Sequence, residues 1–225
     1  MFEDLRNSFD FFVRSKTKFS RKNFVEKNAK LLERNKLENL YTKDVLSNYF
    51  TKILREKVRV LDIGCKNWFY AQGEYEFFKE FSKDVLLDGV EIDPYRLNYK
   101  FYSRYEISKY YTKGLEGINY ICGNLLDINK KYDYIVWFLP FVVIEPHIFW
   151  GLPKKYFYPE KLLQHAYSLL NPNGEMLIIN QGEHEANAQR VLLEKLGYDY
   201  KELGEIESQY FEYKNKRYGF LVIKN

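Results

Sequence analysis

Short apolar runs alternate with amphipathic helical patterns along residues 58–197, and this alternation limits the possible folds more than any other feature of the sequence. Apolar runs of this length that are rich in Val and Ile are typical of buried strands. Strands separated by helices predict an α/β fold, a parallel sheet with helices on both faces. The runs lie at 58–64, 85–92, 118–122, 132–138 and 175–180, and the helical patterns at 71–81, 93–111, 159–170 and 185–196.

The end of the chain breaks this alternation. Residues 205–213 and 217–223 have the pattern of two strands, with a polar turn at 214–216 between them. Strands joined by so short a turn pair antiparallel. We therefore expect a C-terminal antiparallel hairpin at one edge of the sheet.

Residues 1–56 precede the first strand and are predicted to form a helical extension of a domain that covers 57–225. The spacing of apolar residues predicts helices at 4–13, 21–35 and 43–54. Their apolar faces require a surface on which to dock. The residues expected on these apolar faces are Phe24, Ala29, Leu31, Leu32, Val45, Leu46, Tyr49, Phe50 and Ile53.

The extension is also basic. Residues 1–57 hold 14 Lys and Arg against 8 Asp and Glu, a net charge of +6, whereas residues 58–225 hold 21 against 23, a net charge of −2. A basic, Phe-rich segment is compatible with an RNA partner. We favour helices that dock through their apolar faces, either as a lid or beside a substrate, with their Lys and Arg in water.

Three features favour a cytoplasmic protein without a membrane span. The longest apolar run, 134–144, has 11 residues and contains Pro140, so it is too short to cross a bilayer. The N-terminus carries acidic residues where an export signal needs positive charge. The two cysteines, Cys65 and Cys122, are expected at strand ends as free thiols.

The residues that follow the predicted strands describe a nucleoside pocket, because ligands of parallel sheets bind at the carboxyl ends of the strands. Gly64 permits a close backbone approach after the first strand. Glu91 follows the second strand and can accept hydrogen bonds from ribose hydroxyls. Asp93, followed by Pro94, is instead explained as a helix cap. Asn124 follows the third strand and can meet an adenine edge.

Five segments, in order, resemble the successive motifs of class I S-adenosylmethionine-dependent methyltransferases, and the resemblance covers roughly residues 57–225. It implies a Rossmann-like seven-stranded sheet, S-adenosylmethionine as the cofactor, and no metal. The segments are Val-Arg-Val-Leu-Asp-Ile-Gly-Cys at 58–65, Gly-Val-Glu-Ile-Asp-Pro at 89–94, Cys-Gly-Asn-Leu-Leu-Asp at 122–127, Tyr-Asp-Tyr-Ile-Val at 132–136 and Leu-Leu-Asn-Pro-Asn-Gly-Glu-Met-Leu-Ile at 169–178.

The resemblance also assigns cofactor residues. It places the ribose at Glu91, the adenine edge at Asn124, and the floor near the methyl donor at Trp137. The full predicted set is Asp62, Gly64, Cys65, Asn67, Glu91, Ile92, Asn124, Leu125 and Trp137.

The sequence departs from the family pattern in the first loop. The family usually continues as Gly-x-Gly-x-Gly, whereas Lys66 and Trp68 occupy the second and third glycine positions here. A Cβ at these positions predicts a different loop path. Asn124 replaces the usual Asp and can still donate and accept hydrogen bonds.

Methyl transfer needs an aligned nucleophile and, where the nucleophile is protonated, a base. The candidate bases are Glu145 and His147 after the fourth strand, with Glu183 and His184 after the fifth. An aromatic segment at 149–158 is a candidate substrate cover. The segment 138–141 lacks the leading Asn or Asp typical of methyltransferases that act on amino groups of bases or glutamine, which argues against that subclass.

The sequence therefore predicts a methyltransferase with a small-molecule acceptor. Three alternatives stay open: a non-catalytic nucleoside-binding protein, an RNA methyltransferase that uses the basic extension, and an aminopropyltransferase. The last is disfavoured because no paired Asp motif follows the fourth strand. A dinucleotide dehydrogenase is weaker still, because Lys66 interrupts the Gly-x-Gly-x-x-Gly pattern.

Overall fold

A computed structural model describes residue 24 and residues 28–97 and 101–225. Seven strands form one sheet, in the order β3-β2-β1-β4-β5-β7-β6. The strands are β1 (Arg55–Ile63), β2 (Ser82–Glu91), β3 (Ile118–Cys122), β4 (Tyr132–Phe138), β5 (Leu170–Gln181), β6 (Tyr200–Glu205) and β7 (Arg217–Ile223).

The first five strands pair in parallel, and β7 pairs antiparallel with both β5 and β6. This arrangement confirms the predicted fold class, a Rossmann-like, mostly parallel seven-stranded sheet that ends in an antiparallel hairpin. The predicted bounds of β3 and β4 agree with the structure to the residue.

Helices connect and cover these strands. Among the described residues, none of the helices is both long enough and apolar enough to cross a membrane. Short 3₁₀ turns occur at Leu125–Asp127 and Lys154–Tyr156. The α-helices are α1 (Ala29–Tyr49), α2 (Ala71–Lys79), α3 (Arg104–Tyr111), α4 (Ile144–Phe149), α5 (Pro159–Leu169) and α6 (Gly182–Leu196).

Both faces of the sheet are buried, which explains the continuous apolar runs of its central strands. On β4, Tyr134 packs into one core with residues of α1 and α2, such as Leu46 and Phe77. Its neighbour Ile135 packs into a second core with residues of α5, such as Leu163. Successive side chains of a strand point to opposite faces, so each core takes alternate residues.

The crossing of α1 and α2 depends on Gly73. A Cβ at this position would lie 2.3 Å from the carbonyl oxygen of Asn39. The same Asn39 accepts a hydrogen bond from the backbone N–H of Gly73 (2.8 Å) and donates one to the carbonyl of Phe69 (2.7 Å). The absence of a side chain at Gly73 thus lets α1 approach α2 closely, and the hydrogen bonds of Asn39 hold α1 in this position.

The prediction for the N-terminal extension is partly wrong. The predicted helix at 4–13 lies outside the described residues, as does most of the first half of the one predicted at 21–35. Within the described residues, α1 is a single helix that runs from Ala29 through the predicted break at 36–42 and ends at Tyr49, not at residue 54. Ala29 is exposed, Leu31 is 42% exposed and Ile53 is 41% exposed, so these three residues do not face the core as expected. The boundary predicted at residue 57 falls inside β1. The buried face of α1 consists of Asn35, Glu38, Tyr41, Thr42, Val45 and Leu46.

The helix predicted over 93–111 begins only at Arg104, and residues 98–100 lie outside the described part. Ser103 is the N-cap of α3, and its side chain forms a reciprocal capping box with Glu106. Asp93 is not a helix cap, since its backbone N–H donates to Glu91 (2.8 Å) and its carboxylate pairs with Arg96 (2.7 Å). A complete cap at Ser103 explains why the helix starts late.

The first strand of the predicted hairpin is also misplaced, since β6 is Tyr200–Glu205 and not 205–213. The segment after β6 packs its aromatic side chains on α1 instead of pairing with β7. The ring of Tyr213 lies 5.1 Å from that of Tyr41, and Arg34 lies 5.1 Å from the ring of Phe211. Aromatic residues whose pattern predicts a strand thus pack on α1 instead.

Candidate functional site

The carboxyl ends of β1, β2, β3 and β4 surround one cleft. With its open mouth the cleft encloses about 930 Å³. Gly64, Glu91, Asn124 and Trp137 line it, and each lies at or just after the end of a different strand. The strand order reverses between β1 and β4. A parallel sheet opens a crevice where its strand order reverses, which explains the position of the cleft.

Glu91, the predicted ribose residue, ends β2 and is 4% exposed. Its Oε1 accepts hydrogen bonds from the backbone N–H of Asp93 (2.8 Å) and from Nη1 of Arg104 (2.8 Å). Its Oε2 accepts one from the backbone N–H of Lys66 (3.0 Å). A carboxylate has about four lone-pair positions. With these contacts in place, one position on Oε2 is open to a further donor.

The side of the cleft that follows β1 and β2 carries five charged side chains, which we call the charged wall. Two ion pairs hold it together, Arg104 with Glu91 (2.8 Å) and Arg96 with Asp93 (2.7 Å). The charged wall consists of Lys66, Glu91, Asp93, Arg96 and Arg104.

Trp150 crosses over from the opposite side and contacts all three cations of the charged wall. Its ring centroid lies 4.6 Å from Nζ of Lys66, 5.6 Å from Cζ of Arg104 and 5.9 Å from Cζ of Arg96. Arg96 also donates a hydrogen bond to the backbone carbonyl of Trp150. A cation over an aromatic face is attracted by the ring quadrupole, so these contacts hold Trp150 at the mouth of the cleft.

The loop after β1 has a left-handed backbone at all three positions of the glycine pattern. The φ angles are +75° at Gly64, 55° at Lys66 and 51° at Trp68. The side chains of Lys66 and Trp68 were expected to change the path of the loop by moving these positions out of the left-handed region. Both residues keep a left-handed backbone, so this expectation is wrong. The left-handed region costs a residue with a Cβ roughly 1–2 kcal/mol. Local hydrogen bonds offset this cost, including one from the Tyr120 hydroxyl to the Lys66 carbonyl.

Trp68 fills the space under this loop. It is fully buried, and its Nε1 donates to Glu74 (2.8 Å). Its ring lies against β2 at Gly89, where an added Cβ would come within 2.6 Å of the indole. The third glycine position thus carries a core residue, and Gly89 makes room for it.

Three of the predicted cofactor residues, Asp62, Cys65 and Asn67, do not line the cleft. Asp62 and Cys65 are fully buried behind it. Burial raises the pKa of the Cys65 thiol well above its usual range, and the negative charge of Asp62 adds to the rise. Such a thiol is a poor nucleophile.

Asp62 lies next to the buried Glu74 and Glu91. Burial raises the pKa of the Asp62 carboxyl to about 8, and the charge of Glu91 adds to the rise. The side chains of Tyr70 and Trp68 lie close enough to oppose it, but neither Asp62 oxygen has a partner in hydrogen-bond geometry among the described residues. Burial likewise raises the pKa of Glu74, and the charge of Asp62 contributes.

Three further residues of the predicted cofactor set, Ile92, Asn124 and Leu125, line the cleft beyond Glu91. Ile92 is 43% exposed, and Leu125 presents an apolar surface from the start of the 3₁₀ turn. Asn124 caps that turn, since its Oδ1 accepts from the backbone N–H of Leu126 (3.0 Å), and its Nδ2 donates to the Tyr158 hydroxyl (3.3 Å). Ile92 and Leu125 provide surfaces suited to a flat ring.

The side of the cleft after β4 is aromatic, and we call it the aromatic wall. His147 is buried at 3% exposure, between the rings of Phe141 (5.6 Å) and Phe157 (5.4 Å). Its Nε2 lies 2.9 Å from the carbonyl oxygen of Pro153. Only a protonated Nε2 can hydrogen-bond to a carbonyl, so in the neutral ring Nδ1 carries the lone pair. The aromatic wall consists of Phe138, Phe141, His147, Tyr156, Phe157 and Tyr158.

The other candidate bases lie elsewhere. Glu145 is exposed on the first turn of α4 and does not line the cleft. Glu183 and His184 are exposed at the start of α6, where Glu183 accepts from the Tyr218 hydroxyl (3.3 Å). Of the four candidates, only His147 faces the cleft.

Sequence reasoning missed part of the site. Arg104 lay inside a helix predicted to be continuous, so nothing marked it as a partner of Glu91. Trp150 was included only in the aromatic segment proposed as a cover. In the described portion of the extension, α1 packs on α2 and does not line the cleft. The lid or substrate-side role of residues 1–56 stays a prediction, since residues 1–23 and 25–27 lie outside the described part.

No protein-family model and no curated protein matches the sequence. A methyltransferase from Aquifex aeolicus has a TM-score of 0.60 and 17% identity, with 92% of this chain and 100% of that chain covered. Magnesium protoporphyrin IX methyltransferase from Synechocystis, with bound S-adenosylmethionine, has a TM-score of 0.53 and 14% identity, with 99% and 96% covered.

A third solved structure is similar over almost its whole length. The plantazolicin methyltransferase BpumL, in complex with S-adenosylhomocysteine, has a TM-score of 0.55 and 14% identity, with 99% of both chains covered. Identities this low establish the fold alone. The strand order, the cleft at its reversal point and these similarities together show that the chain has the class I S-adenosylmethionine-dependent methyltransferase fold.

Proposed function

We propose that this protein is a methyltransferase that binds S-adenosylmethionine in the cleft and transfers its methyl group to a small molecule. The observation that carries the proposal is the convergence of Gly64, Glu91, Asn124 and Trp137 on one cleft. Three of these residues belong to separate sequence motifs and Trp137 directly follows a fourth, and the resemblance assigns all four to the cofactor.

The residues present fit a nucleoside. Gly64 and Gly123 both line the cleft, and a Cβ on either would meet no other atom within 4 Å, so the backbone leaves open space at both positions. Glu91 keeps one lone pair for a ribose hydroxyl, and a second hydroxyl requires Arg104 to move. Ile92 and Leu125 would hold the adenine.

When bound, the cofactor supplies a sulfonium methyl group that is ready for displacement. The chain then needs to orient the acceptor, exclude water and accept a proton where the acceptor is protonated. The aromatic wall provides an apolar surface for the acceptor. Of the four candidate bases, His147 is the one that lines the cleft. Its Nδ1 would accept the proton, because Nε2 donates to the Pro153 carbonyl.

Isothermal calorimetry with S-adenosylmethionine, S-adenosylhomocysteine and NAD tests the proposal on the full chain. We expect the first two ligands to bind and NAD to give no heat. The absence of binding by both nucleosides at millimolar concentration would overturn the proposed function, whatever the fold. Thermal denaturation with each ligand gives an independent measure, since a ligand that binds the native state raises its melting temperature.

A further inference from the structure

Lys66 is the cation of the charged wall that lacks an acidic partner. Arg104 and Arg96 are paired with Glu91 and Asp93, at 2.8 and 2.7 Å. Across residues 28–97 and 101–225, Nζ of Lys66 makes no hydrogen bond or salt bridge. It lies instead 4.6 Å from the ring centroid of Trp150, within the cleft.

The surroundings leave this ammonium group poorly solvated. Lys66 is half-buried. Burial lowers the pKa of its ammonium group, and the positive charge of Arg104 lowers it further, while Glu91 opposes both effects. A contact with an aromatic face offsets only part of such a cost. A carboxylate on Nζ would satisfy the ammonium group with a charge-assisted hydrogen bond.

The opposite side of the cleft indicates the rest of the ligand. The aromatic wall has six rings, and it contributes no carboxylate and no Lys or Arg side chain to the lining of the cleft. Lys155 and Lys161 lie over the rings of Tyr156 and Tyr158 but do not line the cleft. Flat rings stack on such surfaces or meet them edge to face. The two walls thus fit a molecule that is aromatic at one end and anionic at the other.

We propose that the cleft binds, alongside the cofactor, a planar aromatic carboxylate whose carboxylate group is held by Lys66 and whose ring lies on the aromatic wall. This inference rests on the proposed function and names the class of its second ligand. The carboxylate of the cofactor's own methionyl tail offers the same chemistry, so the experiment must separate the two sources.

The test uses three probes on the full chain by calorimetry. They are 2-naphthoate, its neutral analogue 2-naphthamide, and S-adenosylhomocysteine. The naphthyl probes are titrated both with and without saturating S-adenosylhomocysteine. We expect naphthoate to bind about tenfold or more tightly than naphthamide, because a charge-assisted hydrogen bond is about twice as strong as a neutral one.

Lys66→Met should abolish this preference for naphthoate and leave the affinity for S-adenosylhomocysteine unchanged, whereas Lys66→Arg should keep most of the preference. Lys155→Met is the matched control, since Lys155 also lies over an aromatic ring, that of Tyr156 at 4.9 Å, but does not line the cleft. It should keep the full preference. Circular dichroism of each variant establishes that it is folded.

Two results would overturn the inference. The first is equal affinity of the unmodified chain for naphthoate and naphthamide. The second is a Lys66→Met variant that loses affinity for S-adenosylhomocysteine and keeps its preference for naphthoate, because Lys66 would then bind the cofactor's carboxylate. Failure of S-adenosylhomocysteine to bind the unmodified chain contradicts the proposed function instead, and the naphthyl titrations without it still decide the inference.

Discussion

The charged wall and the aromatic wall face each other across one cleft, yet they are built differently. The charged wall follows the ends of β1 and β2, and backbone N–H groups and ion pairs already occupy most of its acceptors. The aromatic wall follows β4 and includes a short helix and a 3₁₀ turn. Its side chains are held by packing against one another, as His147 packs between Phe141 and Phe157. The first is a network of hydrogen bonds, and the second is a packed apolar surface.

This difference has a chemical consequence. A hydrogen-bonded network fixes donors and acceptors in place and suits a ligand that is always the same, such as a cofactor. An aromatic surface tolerates changes of ligand shape, because a ring accepts both offset-stacked and edge-to-face partners over a range of separations. Substitution of Glu91 in the charged wall should therefore change nucleoside affinity and stability, and substitutions of the buried residues behind it should change stability. Substitutions in the aromatic wall should leave nucleoside affinity intact, and so should substitution of Lys66, whose Nζ makes no hydrogen bond within the described residues.

The largest expected effect concerns pH and the buried carboxyl behind the charged wall. Because the pKa of Asp62 is raised from 3.8 to about 8, the native state holds a proton that the unfolded chain has lost. Its stabilising contribution is present below about pH 4 and is lost as pH rises towards about 8. Asp62→Asn should flatten this fall by up to about 1.4 kcal/mol per pH unit. Urea denaturation of the unmodified chain and of Asp62→Asn between pH 5 and 8.5 measures the free energy of unfolding. If it falls equally with pH in both proteins, the raised pKa of Asp62 is contradicted.

The next largest effect is the loss of Glu91. Glu91→Ala should weaken binding of S-adenosylhomocysteine by about 1–3 kcal/mol, because a ribose hydroxyl loses its acceptor in a desolvated site. It should also lower thermal stability, because Arg104 and two backbone N–H groups lose their acceptor. Glu91→Gln should lose less. Calorimetry and thermal denaturation measure the two effects.

Glu202→Ala is the matched control for Glu91→Ala. Glu202 also pairs with an arginine, Arg190, but it is exposed on β6 and does not line the cleft. It should bind S-adenosylhomocysteine as the unmodified chain does. If Glu91→Ala also retains full affinity, the ribose assignment is wrong.

A smaller effect is expected in the aromatic wall. His147→Ala removes the donor to the Pro153 carbonyl and should cost about 1 kcal/mol of stability. Affinity for S-adenosylhomocysteine should stay within about twofold, since His147 belongs to the other wall. A loss of nucleoside affinity comparable to that of Glu91→Ala would show that the two walls are not separate in function.

The smallest effect is expected at Glu145, the exposed neighbour of His147. Glu145→Gln should change the free energy of unfolding by no more than about 0.5 kcal/mol and should leave nucleoside affinity unchanged. The same denaturation and calorimetry experiments measure both quantities. A clear loss of affinity would show that α4 turns towards the cleft when ligand binds.

The parts predicted correctly from the sequence are those with a strong local pattern. The apolar run of β4 and the strand-end positions of Gly64, Glu91 and Asn124 were all readable, because a buried strand and its closing turn are encoded by adjacent residues. The end of α6 at Gly197, with φ of 64°, was readable for the same reason. The late start of α3 was not readable, since Asp93 followed by Pro94 has the pattern of a helix start, whereas the capping box lies at Ser103.

The sequence by itself determined the α/β class, the strand-end motifs and the place of the cleft, because these follow from local periodicity and chain order. Only the tertiary structure decided that Arg104 donates a hydrogen bond to Glu91 and that the ring of Trp150 contacts three cations. It also decided that His147 lines the cleft while Glu145 does not. Such contacts join residues 13 to 84 positions apart in the chain. They depend on how separate elements pack, which no local pattern encodes.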